Sequence, residues 1–327
     1  MAEWLVEEGI GEERAILFED GKIIAARLHW PGGLTLGKVE DAQVVKMNPR
    51  GQGTRTALVR FANGQEAFAS RLPQDTTEGM RVRQTITREA ISERGRLKLA
   101  QSTHTDEAPT PAPSLKQQLE NEGETASIIH RFPAEADWDE LFLEAWSGDV
   151  AYKGGALILS DTPAMTLIDV DLHDYPDALY FNGVPVIAST LRRMNIGGNI
   201  GIDFPMLDKS DRRGIDTRLD KYLADWPHER TAMNGFGFVQ IVTALRQPSM
   251  LQRIGRNRSA AAARFLLRNA EQVAEPGTLL LVAHPAVLAA METGWLEELA
   301  RRTGRQLRTE ARPALALEAG FAQTVSS

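Results

Sequence analysis

Two apolar runs of strand length, Met165 to Val170 and Gly197 to Phe204, each carry an Ile-Asp pair near the C-terminal end: Ile168-Asp169 and Ile202-Asp203. Between them Ala178 to Met194 has helical spacing through Leu179, Val186, Ile187 and Leu191. A strand, a helix and a strand in that order restrict the chain to α/β or α+β architectures more tightly than any composition does. The pattern continues on both sides. Gly155 to Ser160 is another strand-length run, Lys209 to Leu223 a helix with charged faces, and Phe236 to Val242 a further strand. Ala260 to Val273 reads as a helix, Thr278 to Ala283 as a strand and Pro285 to Arg302 as a helix, with Gln306 to Glu310 and Leu315 to Glu318 as closing strands.

The first hundred residues follow a different rule. Ala15 to Phe18 and Ile23 to Ala26 flank Glu19-Asp20-Gly21-Lys22, and Asp-Gly between apolar runs signals a tight hairpin. Short strands then recur at Val39 to Met47, Thr56 to Phe61, Gln65 to Ala69 and Arg81 to Thr87, which suits a small barrel of the OB type. Ala108-Pro109-Thr110-Pro111-Ala112-Pro113 breaks both periodicities, so a linker or loop is expected there. The expected organisation is an opening hairpin over 1–34, a barrel over 35–100 and an acidic, Pro-rich linker over 101–149. An α/β unit over 150–254 and a small α/β domain over 255–327 complete it.

Charge is distributed unevenly. The chain carries −7, yet 105–150 holds eleven acids against Lys116 and Arg131, a balance of −9 that leaves the remainder at +2. Arginines cluster twice, at 81, 83, 88, 94 and 96 and again at 246, 253, 256, 258, 264 and 268. Such clusters read either as a phosphate footprint or as solvated helix faces. Zero cysteines exclude disulfides and thiolate zinc sites. No apolar run approaches the roughly 18 residues of a membrane-spanning helix, and the acidic start has no signal-peptide core, so a cytoplasmic location without a membrane partner is expected.

On a strand Asp169 and Asp171 share one face, with Ile168 and Val170 on the other. Asp203 likewise opposes Ile202 and Phe204. If the two strands are neighbours, Asp169 and Asp203 converge into an oxygen-only cluster suited to Mg²⁺ or Mn²⁺. The plainer reading has each aspartate capping a strand end or the next helix. Gly197-Gly198-Asn199-Ile200-Gly201 precedes a strand rather than opening a helix, so it is not a phosphate loop. The six histidines show no metal-ligand spacing, and only His173, two residues past Asp171, stands near the candidate acids.

Taken in order, Ile168-Asp169-Val170-Asp171, Phe181-Asn182, Leu191-Arg192-Arg193-Met194-Asn195-Ile196-Gly197-Gly198 and Ile202-Asp203-Phe204 resemble the catalytic core of the RNase E/G endoribonucleases. Phe236-Gly237-Phe238-Val239-Gln240-Ile241 and Arg246-Gln247-Pro248-Ser249-Met250 extend the likeness. The resemblance implies a multi-subdomain α+β and α/β fold. An RNase H-like subdomain would be interrupted by an S1-like OB barrel, followed by a DNase I-like catalytic subdomain and a small C-terminal domain. It further implies Mg²⁺ held by Asp169 and Asp203, with Asp171 beside them, and cleavage of single-stranded RNA to 5′-phosphate and 3′-hydroxyl ends. Phe68, Arg88 and Arg94 match RNA-contacting barrel positions. The chain departs from the family pattern at Asp171, where the family has Asn, at Leu172 for Ser, and at Leu58 for a second barrel aromatic. The acidic, Pro-rich segment 101–149, read as a linker and reduced sensor region, stands where much of the 5′-monophosphate sensor would be. Gly235 stands for an arginine of that sensor, and the cysteines of the zinc link are missing. A nuclease without 5′-end sensing, as a monomer or a dimer not linked by zinc, is therefore expected. A non-catalytic RNA-binding module on the same scaffold is the alternative.

Overall fold

A computed structural model describes residues 2–48, 54–93, 95–173 and 176–325. Three strands open the chain, β1 (Glu3–Gly9), β2 (Glu12–Glu19) and β3 (Lys22–His29). The β2–β3 turn is Asp20-Gly21, both at positive φ (49° and 74°), as a two-residue hairpin loop requires. Four strands of a barrel follow: β4 (Val39–Met47), β5 (Ala57–Phe61), β6 (Glu66–Ser70) and β7 (Arg81–Arg88). A small hairpin, β8 (Ile91–Glu93) and β9 (Arg96–Lys98), precedes β10 (Ala100–His104). β10 pairs parallel to β6 and antiparallel to β7, closing a five-stranded barrel consistent with the OB type. Val44, Val59, Phe61, Ala67, Ile86 and Ala100 fill its own core.

Residues 101–125, expected as a linker or loop, are built into the fold instead. Helix α1 (Leu115–Asn121) starts at a capping box between Ser114 and Gln117. Its Leu115 and Leu119 pack under Trp4, Val6, Ala15 and Ala25. Strand β11 (Ala126–Ile129) then adds in parallel to β1, making a four-stranded sheet. Helix α2 (Trp138–Ser147) buries Trp138, Leu141, Phe142, Ala145 and Trp146 and stops at Gly148, in the left-handed region. The prolines break secondary structure only locally, at 108–113.

The largest sheet begins with the antiparallel meander β12 (Asp149–Tyr152), β13 (Gly155–Asp161) and β14 (Thr166–Leu172). The crossover from β14 consists of a short helix α3 (Pro176–Ala178), a π-helix Leu179–Gly183 and α4 (Val184–Arg193). It returns the chain to β15 (Gly198–Asp203), parallel to β14. Helix α5 (Lys209–Leu223), capped by Asp208, leads to β16 (Glu229–Arg230) and β17 (Phe238–Thr243). The sheet order is β12-β13-β14-β15-β17-β16. Its inner face, with Leu157, Ile168, Ile200, Ile202, Val239 and Ile241, joins a single core shared with α2, α4 and the N-terminal sheet.

That core continues into the last quarter of the chain. Helices α6 (Met250–Arg256) and α7 (Arg258–Glu271) and strand β18 (Thr278–Ala283) all contribute buried residues. The unit expected after residue 255 thus shares its hydrophobic core with what precedes it. The helix expected over 285–302 divides at Gly294 (φ 88°) into α8 (Pro285–Ala289) and α9 (Trp295–Thr303). The second closing strand also differs. Residues 317–319 form a 3₁₀ turn, and β20 (Phe321–Val325) pairs with β18 opposite β19 (Leu307–Ala311).

Barrel and core are tied by one buried ion pair. Arg253 of α6 donates to Glu89 at 2.9 Å, and the Glu89 N–H donates to the Arg246 carbonyl at 2.9 Å. His29 is buried close by, with its Nδ1 unpartnered. Burial lowers its pKa; Glu89 opposes and Arg253 reinforces that shift.

Replacing Glu89 by Ala leaves the Arg253 guanidinium charged and buried, so denaturation should show a loss of about 3–5 kcal/mol. Glu66→Ala, which breaks the exposed pair with Arg60 (2.7 Å), should cost less than about 1 kcal/mol. Because His29 resists protonation only when folded, stability should be level above pH 6.5 and fall as pH drops below it. The slope from this group approaches about 1.4 kcal/mol per pH unit. His29→Gln should flatten that part of a pH-dependent unfolding profile.

Candidate functional site

The register of β14 and β15 sets Asp169 directly opposite Asp203. Side chains alternate across a strand, so burying Ile168, Val170 and Ile202 commits both aspartates to the opposite, open face, where both are exposed. Asp171 follows on the same face, two residues nearer the strand end. The ion pairs around this sheet engage other acids: Arg256 with Asp161, Arg230 with Asp216 and Asp220, and Arg193 with Glu144. Among the described residues none engages Asp169, Asp171 or Asp203. Three His or acidic side chains nowhere come together, among those residues, in a form that could hold a metal ion. The arrangement is a carboxylate pair with Asp171 alongside.

The surroundings of the pair are rigid. Gly201 shares its face with Asp203; a Cβ there would lie 2.5 Å from the Phe238 ring, 2.9 Å from Met165 Sδ and 3.0 Å from Leu167 Cδ2. The missing side chain admits Phe238, whose ring lies across the sheet beside the acids. The end of β14 is pinned from behind by Tyr152, whose hydroxyl donates to the Asp171 carbonyl at 2.7 Å. Burial, helped by the Asp171 charge, pushes the Tyr152 pKa up to about 12, so this hydroxyl stays a donor. Gly155 permits that contact, since a Cβ there would meet the Asp171 carbonyl at 2.2 Å. His173 is exposed, and its N–H donates to the Gly154 carbonyl at 2.9 Å. The glycines at 197–198 serve packing: a Cβ at Gly197 would stand 2.5 Å from the Ala244 carbonyl.

On the barrel, Phe68 is 47% exposed and sits opposite Leu58 on β5 and Gln101 on β10. Lys46 faces Leu58 on β4, and Gln101 pairs with Arg88 on β7. A bulge at Thr87 shifts the register there, since Ser102 pairs with Ile86 and Gln101 with Arg88. Lys46, Leu58, Phe68, Gln101 and Arg88 therefore form one cross-strand row. Arg88 is partly committed, donating to the Leu99 carbonyl at 2.6 Å, and burial lowers its pKa. Arg94 and the 49–53 loop lie outside the described residues. Gln101 escapes sequence reading because Ala100 to His104 has weak strand propensity and falls beyond the expected end of the barrel.

Most of the second arginine cluster is engaged within the protein. Arg253 binds Glu89, and Arg256 binds Asp161 at 2.7 Å. Arg258 lies over Trp146, and Arg264 lies between Trp30 and Trp295 at 4.2 and 4.5 Å from the ring centroids. Arg268 reaches Asp139 at 2.6 Å and Glu7 at 3.4 Å. These cations hold elements together, while Arg246 at the head of the run remains largely exposed.

No family model matches this chain, and no curated protein matches it at a significant level.

Among the described residues, neither Asp169 nor Asp203 supports the fold through an ion pair. Asp169→Asn and Asp203→Asn should each leave unfolding free energy within about 0.5 kcal/mol of the parent. Urea titrations of both variants check this.

Proposed function

We propose that this chain is a metal-dependent endoribonuclease that cleaves single-stranded RNA by attack of water on a phosphodiester, without sensing a 5′-monophosphate. The observation that carries the reading is the register of Asp169 against Asp203 on the open face of the sheet, on two parallel strands. Asp203 closes β15 and Asp169 stands three residues before the end of β14, toward the C-terminal side where α/β sheets place their sites. On this reading the N-terminal sheet and the barrel inserted after it are the RNase H-like and S1-like parts. The six-stranded sheet is then the DNase I-like part, as the resemblance implies.

The donor set suits Mg²⁺ or Mn²⁺. Both side chains are hard oxygen ligands without a competing cation, and Mg²⁺ is commonly held by one or two carboxylates plus substrate phosphates while keeping several waters. Bound there, the cation would supply Lewis-acid stabilisation of phosphoryl charge and a lowered pKa for the attacking water. Asp169 and Asp203 hold the site from two strands, and Tyr152 and Phe238 keep the strand ends in place. Asp171 adds negative charge where the related enzymes carry a neutral amide, which favours tighter cation binding and opposes close approach of phosphate. Phe68 and Leu58 offer one aromatic and one aliphatic face to unstacked bases, with Lys46 and Arg88 at the two ends of the row for phosphate. Gly235 places no side chain where the family's sensor arginine would stand.

The row on the barrel does not depend on the carboxylates, and that independence favours a second reading, an RNA-binding module without catalysis. Cleavage of a labelled single-stranded RNA separates the two. The nuclease reading expects Mg²⁺- or Mn²⁺-dependent cutting, equal on 5′-monophosphate and 5′-hydroxyl substrates. Asp203→Ala should lower it at least about a hundredfold with RNA affinity in chelator retained. No cutting by the parent protein, with binding intact, favours the module. Phe68→Ala should weaken RNA binding roughly fivefold to a hundredfold on either reading, measured by fluorescence anisotropy at fixed salt.

A further inference from the structure

The segments that follow β14 and β15 enclose a cleft that the proposed chemistry leaves unused. Beyond β14 the chain enters the π-helix, and beyond β15 it passes Leu207 into α5. Between these segments lies a cavity of about 250 Å³. That is below the roughly 300–1,000 Å³ of pockets that enclose a whole small molecule. Leu207 and Ile215 give it an apolar base, Tyr180 and Phe181 an aromatic wall, and Asp177 and Asp211 a polar rim.

The aromatic wall is exposed yet held in place. Phe181 is 60% exposed, and its ring meets Tyr180 edge-on, with centroids 5.0 Å apart at 83°. The Arg218 guanidinium lies 4.3 Å from the Tyr180 centroid and 5.3 Å from that of Phe181, and it donates to the Tyr222 hydroxyl at 3.3 Å. Gly214 on α5 keeps the space open, since a Cβ there would come within 3.2 Å of the Tyr180 ring. A π-helical turn is rare and recurs at functional sites, and this one carries both rings.

We infer that this cleft seats one unpaired nucleobase of the RNA, guanine in preference to the others; the inference rests on the reading of the chain as a protein acting on single-stranded RNA. A solvent-facing ring backed by a guanidinium is the surface on which unstacked bases lie. The rim carboxylates accept hydrogen bonds and cannot donate them when ionised. Guanine presents two adjacent N–H donors, N1–H and the exocyclic amine, which one carboxylate meets together. Adenine, cytosine and uracil each set a ring or carbonyl acceptor beside their donor and would bring acceptor against acceptor.

The test uses the full chain in chelator, so that neither cation nor cleavage contributes. Anisotropy is read on a short oligouridine and on the same oligomer with one central guanosine or adenosine. The guanosine oligomer should bind about tenfold tighter than oligouridine. Phe181→Ala should remove that preference, Phe181→Trp should keep it, and Asp211→Asn should bring guanosine and adenosine level. Equal affinity of the parent protein for all three RNAs, no binding of any, or a preference untouched by Phe181→Ala overturns the assignment. A guanosine preference lost in Phe181→Ala, in a protein that never cuts RNA with Mg²⁺, upholds the cleft and overturns only the nuclease reading.

Discussion

Parallel pairing of β14 with β15 is the constraint on which the candidate site depends. It needs a crossover long enough to bring the chain back, and the π-helix and α4 supply it with Leu179, Val184, Ile187 and Leu191 buried. Register then follows from burial. Ile168, Ile200 and Ile202 are fully buried, and a slip of one residue would turn them all to solvent and carry Asp203 into the core. The same requirement that packs the isoleucines therefore sets two carboxylates side by side on the open face. Their closeness is imposed by the core and, among the described residues, is not stabilised by any ion pair of their own.

Arginine does structural work throughout the rest of the molecule. Arg253, Arg264 and Arg268 are buried and reach from α6 and α7 to the barrel entry, the N-terminal sheet and α2. The buried Arg14 joins Glu7, at 2.6 Å, and Glu12 at the base of the first hairpin, and Trp30 donates to Glu12 at 3.1 Å. Of the eleven acids in the acidic segment, Asp139 pairs with Arg268 and Glu144 with Arg193. Part of the uneven charge of the chain is thus internal pairing across distant segments.

What the sequence made legible follows the physics that is local. The Asp20-Gly21 hairpin, the short barrel strands, α5 over Lys209–Leu223 and the shared face of Asp169 and Asp171 all rest on alternation, helical period or turn chemistry. The acids needed one further condition, that their strands be neighbours, which no local pattern supplies. The 101–125 segment differs from the loop its proline and acid content mark, because α1 draws its stability from tertiary partners such as Trp4. The arginines misled for the same reason, since clustering in sequence does not say which acids lie opposite. The Tyr180–Phe181 cleft left no signal, because its wall and rim come from segments on two sides of a crossover.

The central claim is that Asp169 and Asp203 form one cation site. A double-mutant cycle on Mn²⁺ affinity, read by electron paramagnetic resonance on the parent, Asp169→Asn, Asp203→Asn and the double variant, tests it most directly. One shared site predicts that either substitution weakens binding at least tenfold, and that the double variant binds little worse than the weaker single one. Unchanged affinity in both single variants, or two losses that add in full, would contradict it.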